Sequence, residues 1–194
     1  MIYTTKMLFE KYKDLADPQG KIRRMCRDKE LVKIVRGLYT DDVNASGYLF
    51  AQMICSPSYL SFDYALSYYN IIPERVYTYT SATFMKNKKK TFKNKFGQYD
   101  YRDVPKEAYT YEVKILDSGD YTFKIASKEK ALLDKMYDIN IIKNLDEMEY
   151  LVLNELRIES SELKKLELSV IRSLADKYHS GNVKLFSKYV EKIR

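Results

Sequence analysis

Between Asp17 and Thr40 the chain carries a capped basic helix followed directly by a two-stranded hairpin. Asp17 is a suitable N-cap, and Pro18 sits at the first helical position, where its missing N–H costs nothing. Ile22, Met25 and Cys26 share one face at i, i+3, i+4 spacing. At about 100° per residue, Arg24 and Arg27 point the other way, with Lys21 and Arg23 beside them. Gly20, inside the first turn, weakens the helix and is expected to allow close approach to a phosphate. Leu31-Val32-Lys33-Ile34 then alternates as a strand, with Lys33 facing away from Val32 and Ile34. Arg36-Gly37 turns the chain and Leu38-Tyr39 returns.

A short helix over Lys6 to Lys13 precedes this pair, so residues 1–42 read as a winged helix-turn-helix. In that arrangement the basic helix enters the DNA major groove and the hairpin touches the backbone beside it. An arginine fork can pair with the major-groove edge of guanine, and lysine suits phosphate. The expected groove contacts are Lys21, Arg23, Arg24 and Arg27; the expected wing contacts are Lys33 and Arg36. Asp41-Asp42-Val43-Asn44 is polar and marks the boundary of this head.

Charge supports a polyanionic partner. The first forty residues carry ten Lys and Arg against five Asp and Glu, and residues 86–102 carry seven against one. The remainder is acidic, since the whole chain is only +7. The second basic stretch holds Lys86, Lys88, Lys89, Lys90, Lys93 and Lys95 around Phe92 and Phe96. Interleaved cations and rings suit nucleic acid. A hairpin with its Phe residues facing the core and its Lys residues facing water has the same pattern.

Residues 45–194 read as an α+β body. Helical patterns cover Ser46 to Cys55 and Ser58 to Tyr69. Strands are expected at Arg75 to Thr83 and Gln98 to Val104, and a hairpin at Tyr111 to Ile125 around Asp117-Ser118-Gly119-Asp120, together a small antiparallel sheet. Ser127 caps a helix through Tyr137. The chain is helical from about residue 144, with segments Leu145 to Arg157, Ser161 to Tyr178 and Val183 to Ile193. Nineteen Tyr and no Trp suggest half-buried surfaces on which rings pack and hydroxyls stay wet.

Several chemistries find little support. Cys26 and Cys55 have no CxxC spacing, and His179 is the single histidine, so no zinc site is expected. His179 lies near a helix end, where it would meet the last carbonyls. Ser127 and Lys130 have a Ser-x-x-Lys spacing, which a helix cap explains more simply. Glu112-Val113-Lys114, with Asp100 or Asp103, matches the acidic core of a metal-dependent nuclease. The same triplet recurs at Glu162-Leu163-Lys164. No Gly-rich phosphate loop is present. The expectation is a non-enzyme with no metal or cofactor. No apolar run approaches membrane-spanning length and no signal-peptide pattern opens the chain, so a cytoplasmic protein is expected.

Lys21-Ile22-Arg23-Arg24 and Leu31-Val32-Lys33-Ile34-Val35-Arg36-Gly37-Leu38-Tyr39 resemble the winged-helix start of AbiEi-family antitoxins. Further blocks match in the family's order. They are Ser56-Pro57-Ser58-Tyr59-Leu60-Ser61 with Ala65-Leu66, Ile72-Pro73-Glu74, Thr80-Ser81-Ala82-Thr83, and Ile125-Ala126-Ser127-Lys128-Glu129-Lys130-Ala131-Leu132-Leu133-Asp134. The resemblance spans residues 20 to 138; the last fifty or so carry no shared motif. It implies an autorepressor that binds inverted repeats in its own promoter. It further implies an antitoxin of a type IV toxin–antitoxin, or phage abortive-infection, pair. The functional partner would be a nucleotidyltransferase toxin, counteracted without a stable complex. Monomer and DNA-induced dimer both stay open, as does a nucleic-acid-binding regulator or nuclease unconnected with any toxin.

Overall fold

A computed structural model describes residues 1–193, so Arg194, the last residue of the expected body, lies outside the described residues. The head begins one element earlier than periodicity suggests. Strand β1 (Ile2–Thr4) precedes α1 (Thr5–Lys11), and the Thr4 hydroxyl caps that helix by accepting from Met7 N. Helix α2 (Pro18–Arg27) starts where expected: the Asp17 carboxylate accepts from Gly20 N at 2.8 Å. The hairpin is β2 (Val32–Val35) and β3 (Leu38–Thr40), and β1 pairs with the free edge of β3 to give the antiparallel order β1-β3-β2. A three-residue first strand is too short to show a period-2 pattern, which is why only its partner was foreseeable.

Alternation gives this sheet two apolar faces. Tyr3 turns toward the helices and joins Leu8, Ile22 and Leu31 in a small core. Ile2, Ile34 and Leu38 turn the other way and belong to the core of the body. Four buried side chains are few for forty residues, and the shared core supplies the remaining burial.

Gly20 does not face outward. It is buried, and a Cβ there would overlap the Asp17 carboxylate that caps the helix. The residue is glycine because the cap needs the space, not because a phosphate does. Gly20→Ala is therefore expected to cost about 1–2 kcal/mol, the worth of an N-cap. A helix-interior Gly→Ala ordinarily stabilises. Chemical denaturation beside Asp17→Ala checks this, and a neutral or stabilised Gly20→Ala would refute it.

The fold is mixed α and β. After the head come a 3₁₀ turn (Gly47–Phe50), α3 (Ala51–Ile54), β4 (Tyr59–Leu60), α4 (Phe62–Tyr68) and β5 (Thr78–Thr83). The hairpin β6 (Lys90–Asn94) and β7 (Gly97–Asp103) follows, then α5 (Lys106–Tyr109) and a second hairpin, β8 (Val113–Ser118) and β9 (Tyr121–Ala126). Six strands form one sheet in the order β6-β7-β5-β4-β9-β8. It is larger than the sequence pattern implied, and β5·β7 and β4·β9 run parallel. Those parallel pairs join segments with intervening chain, which local patterning cannot register.

Ser58 to Tyr69 is not one helix. Tyr59 and Leu60 are a strand between β5 and β9, and the helix starts only at Phe62. The cause is remote in sequence. The Thr80 hydroxyl donates to Ser61 O and accepts from Tyr64 N, capping α4 from the neighbouring strand.

Helix α6 (Lys128–Asp138) packs against α4 and against the C-terminal helices. These are α7 (Leu145–Tyr150) continued by a π turn (Leu151–Glu155), α8 (Ser160–Lys164), α9 (Leu168–Ala175), a 3₁₀ turn (Asp176–Tyr178) and α10 (Gly181–Lys192). The expected helix from Ser161 to Tyr178 is broken in two. Buried Glu129 accepts from Glu167 N at 3.0 Å and Lys128 donates to Lys165 O at 3.1 Å, so α6 takes up the backbone groups at the break. Among the described residues, no helix is long and apolar enough to cross a membrane.

Candidate nucleic-acid interface

The amphipathic division of α2 places Ile22 in the core and leaves Arg23 and Arg24 exposed. Lys21 is half-buried. Arg27 is exposed, but its guanidinium already pairs with Asp28, at 2.9 Å from Nε. That contact holds the Asp28 carboxyl below the ordinary carboxylate range and raises the Arg27 guanidinium. Arg27 therefore already has a partner, whereas no ion pair holds Arg23 or Arg24 among the described residues. Lys33 and Arg36 are exposed on the hairpin. Gly37 has φ 88°, the left-handed conformation its turn requires, and its carbonyl accepts from Thr5 N at 2.9 Å, tying the hairpin tip to α1.

The Lys-rich stretch divides as alternation demands. Phe92 packs edge-on to Tyr101 and Phe96 to Phe50, so both rings face the protein. Lys86 donates to Ser56 O, and Lys89 pairs with Asp138, which also binds Arg102. Both are tied back to the body. Lys88, Lys93 and Lys95 are exposed and Lys90 is half-buried, with no ion pair among the described residues.

One contact joins the two basic regions. Asn94 Nδ2 donates to the Ile34 carbonyl at 3.1 Å, docking the β6–β7 hairpin against the edge of β2. Its Oδ1 accepts from Phe96 N at 2.7 Å and shapes the turn. Lys93 and Lys95 flank Asn94, and Lys33 and Arg36 lie within two residues of Ile34. At about 3.8 Å per residue the Cα atoms of these four residues fall within roughly 20 Å of one another. Asn94 carried no sequence signal, because an asparagine between two lysines reads as solvated chain.

A second cluster lies inside the body. Lys130 and Asp134, one turn apart on α6, are fully buried and 3.1 Å apart. Lys130 Nζ also donates to Ala108 O at 2.8 Å and to Tyr178 Oη at 2.6 Å. Asp134 accepts from Tyr178, Ser61 and Tyr59 at 2.6, 2.6 and 3.1 Å. Burial pushes the Lys130 ammonium below the lysine range while Asp134 pulls it back up. Both charges are closed in by protein groups, and the cluster joins α6 to β4, α5 and the C-terminal helices. Sequence pattern did not reveal it, because six of the eleven α6 residues are charged and read as a solvated face. Tyr137, near the end of that helix, is exposed.

The alternative chemistries do not assemble. Asp100 and Asp103 lie on β7 and Lys114 on β8, four strand spacings apart, or about 19 Å. Asp100 is bonded to Thr91 and Gln98; Asp103 accepts from Thr83 and from Lys86 and Asn87 N. Ser127 accepts from Lys130 N and caps α6, as expected. His179 adopts a left-handed conformation after a 3₁₀ turn, and its backbone N–H, not its ring, meets the Asp176 carbonyl. Cys26 and Cys55 are free thiols, and burial raises the Cys26 pKa. No group of three or more metal-ligating side chains converges among the described residues.

No family model matches the chain, and no curated protein matches it either.

Proposed function

We propose that this protein is a DNA-binding transcriptional autorepressor with a winged helix-turn-helix head, and the antitoxin of a type IV pair whose toxin is a nucleotidyltransferase. The observation that carries the DNA reading is the set of exposed basic side chains on α2 and the adjoining hairpin. Arg23 and Arg24 project from α2, Lys33 and Arg36 from the adjoining hairpin, and Lys93 and Lys95 lie against it through the Asn94–Ile34 contact. The order of α1, α2 and hairpin supports it, since that order sets a helix in the groove and a hairpin on the backbone. The antitoxin reading is supported by the ordered resemblance to AbiEi-family antitoxins, and it assigns neutralisation to the body.

Binding to the protein's own upstream DNA across a salt series tests the first part. With about six phosphates neutralised, affinity should fall roughly a thousandfold between 50 and 200 mM salt. Arg24→Ala should weaken operator binding by about ten- to hundredfold, with a smaller loss for Arg27→Ala because Asp28 competes for that guanidinium. Unchanged affinity for Arg24→Ala would eliminate α2 as the reading helix. The antitoxin part is tested by co-expression with a nucleotidyltransferase encoded beside this gene. A chain carrying Arg23→Ala and Arg24→Ala should lose repression but still restore growth.

A further inference from the structure

A second site lies away from α2. A cleft of about 480 Å³ opens between the end of α4, the segment 70–77 and the start of β5. That volume falls in the range of small-molecule and nucleotide pockets. Tyr64, Tyr68, Tyr77 and Tyr79 line it. Tyr64 and Tyr79 pack with tilted rings, centroids 5.1 Å apart, and form its half-buried base. Tyr77 is 74% exposed and Tyr68 46% exposed, a large expense of aromatic surface for a chain with a packed core beneath.

The charges around the cleft select its occupant. The Arg75 guanidinium covers the Tyr77 ring at 5.3 Å and has no ion pair among the described residues. Glu74, the carboxylate in the lining, is neutralised by Arg157. Tyr79 wedges between two glycines: a Cβ at Gly47 would fall 2.5 Å from its ring and one at Gly97 2.8 Å. Tyr79 therefore stands between the cleft and the β6–β7 turn. An aromatic box beside an acidic wall suits a quaternary ammonium, but Glu74 is already paired and Arg75 would repel one. Exposed aromatic rings beside a guanidinium with no ion pair suit an unstacked base with its phosphate.

We propose that this cleft binds an unstacked nucleotide of single-stranded nucleic acid, with the base on Tyr77 and Tyr68 and the phosphodiester toward Arg75. The site does not depend on the operator-reading proposal.

The test is fluorescence anisotropy of the full chain with labelled eight-nucleotide ribo- and deoxyribo-oligopyrimidines, and with abasic oligomers of equal charge. Tyr77→Ala should weaken binding of the base-bearing oligomers by about ten- to hundredfold and Tyr77→Phe should restore it. The abasic oligomer should bind wild type about as weakly as the base-bearing oligomer binds Tyr77→Ala. Tyr68→Ala gives an independent second lesion. Tighter ribo-oligomer binding would identify RNA as the ligand, and equal binding would mean that the sugar is not read. Equal affinity for abasic and base-bearing strands, or no effect of Tyr77→Ala and Tyr68→Ala, would overturn the site. Duplex operator binding should be unchanged in these variants, so failure of one reading leaves the other standing.

Discussion

Lys130→Ala is expected to destabilise the protein by about 3–5 kcal/mol, because it leaves the Asp134 carboxylate buried without its cation. For a chain of this length that loss lowers Tm by roughly 10 °C or more. Asp134→Ala should cost as much, since it strands the ammonium and unties three hydroxyls at once. Removing both charges is a different matter. Lys130→Met with Asp134→Leu replaces a costly pair by apolar side chains and should recover most of the loss. Thermal unfolding of wild type, Lys130→Met, Asp134→Leu and the double variant closes a double-mutant cycle, and the two alanine variants measure the cost of each stranded charge. Two single variants each within 1 kcal/mol of wild type would show that the pair is not a junction of the fold. Such a result would also conflict with the hydrogen bonds that join α6 to Ser61, Ala108 and Tyr178.

Stability should also collapse steeply above pH 10. Tyr59, Tyr99, Tyr101 and Tyr178 are almost wholly buried, and burial raises all four phenol pKa values, with the Asp134 charge adding to the effect at Tyr59 and Tyr178. Tyr69 and Tyr109 are pushed up to about 12. A phenol with a raised folded pKa keeps its proton longer when folded than when unfolded. Below the unfolded value of about 10 both states are protonated and the full stability is present. Above it the unfolded chain releases protons that the native state holds, and stability is lost until the folded pKa is passed. Each such group contributes about 1.4 kcal/mol per pH unit, so four give roughly 5 kcal/mol per unit. Against a typical stability of about 5–15 kcal/mol, unfolding should occur within about three units of pH 10. Circular dichroism along a pH titration measures the midpoint, and ultraviolet absorbance of phenolate measures ionisation. Tyr99→Phe and Tyr101→Phe should each make the loss shallower. Free titration of these phenols near pH 10 in the folded protein would show that they are not closed in.

These tyrosines mark where sequence reading stopped. Their number suggested half-buried rings with wet hydroxyls, yet Tyr99 and Tyr101 lie inside and donate to the carbonyls of Gly47 and Ala51. Whether a tyrosine hydroxyl meets water or a carbonyl depends on what packs above it, which local pattern does not encode. The Phe residues of the Lys-rich segment were legible, because period-2 alternation sets Phe92 and Phe96 opposite Lys93 and Lys95. Which lysines are free was not: Lys86 and Lys89 are held by Ser56 and Asp138, remote in the chain.

The sequence alone determined α2, its Asp17 cap, the hairpin turn at Gly37 and the Ser127 cap. Each depends on contacts within a few residues, so propensity and periodicity carry it. Tertiary structure decided the rest. It ended the expected Ser58–Tyr69 helix through Thr80, closed Lys130 and Asp134 into a junction, and brought the Lys93–Lys95 turn to Ile34. It also wedged Tyr79 between Gly47 and Gly97. Those outcomes arise from donors, acceptors and volumes contributed by distant segments, and only the folded chain brings them together.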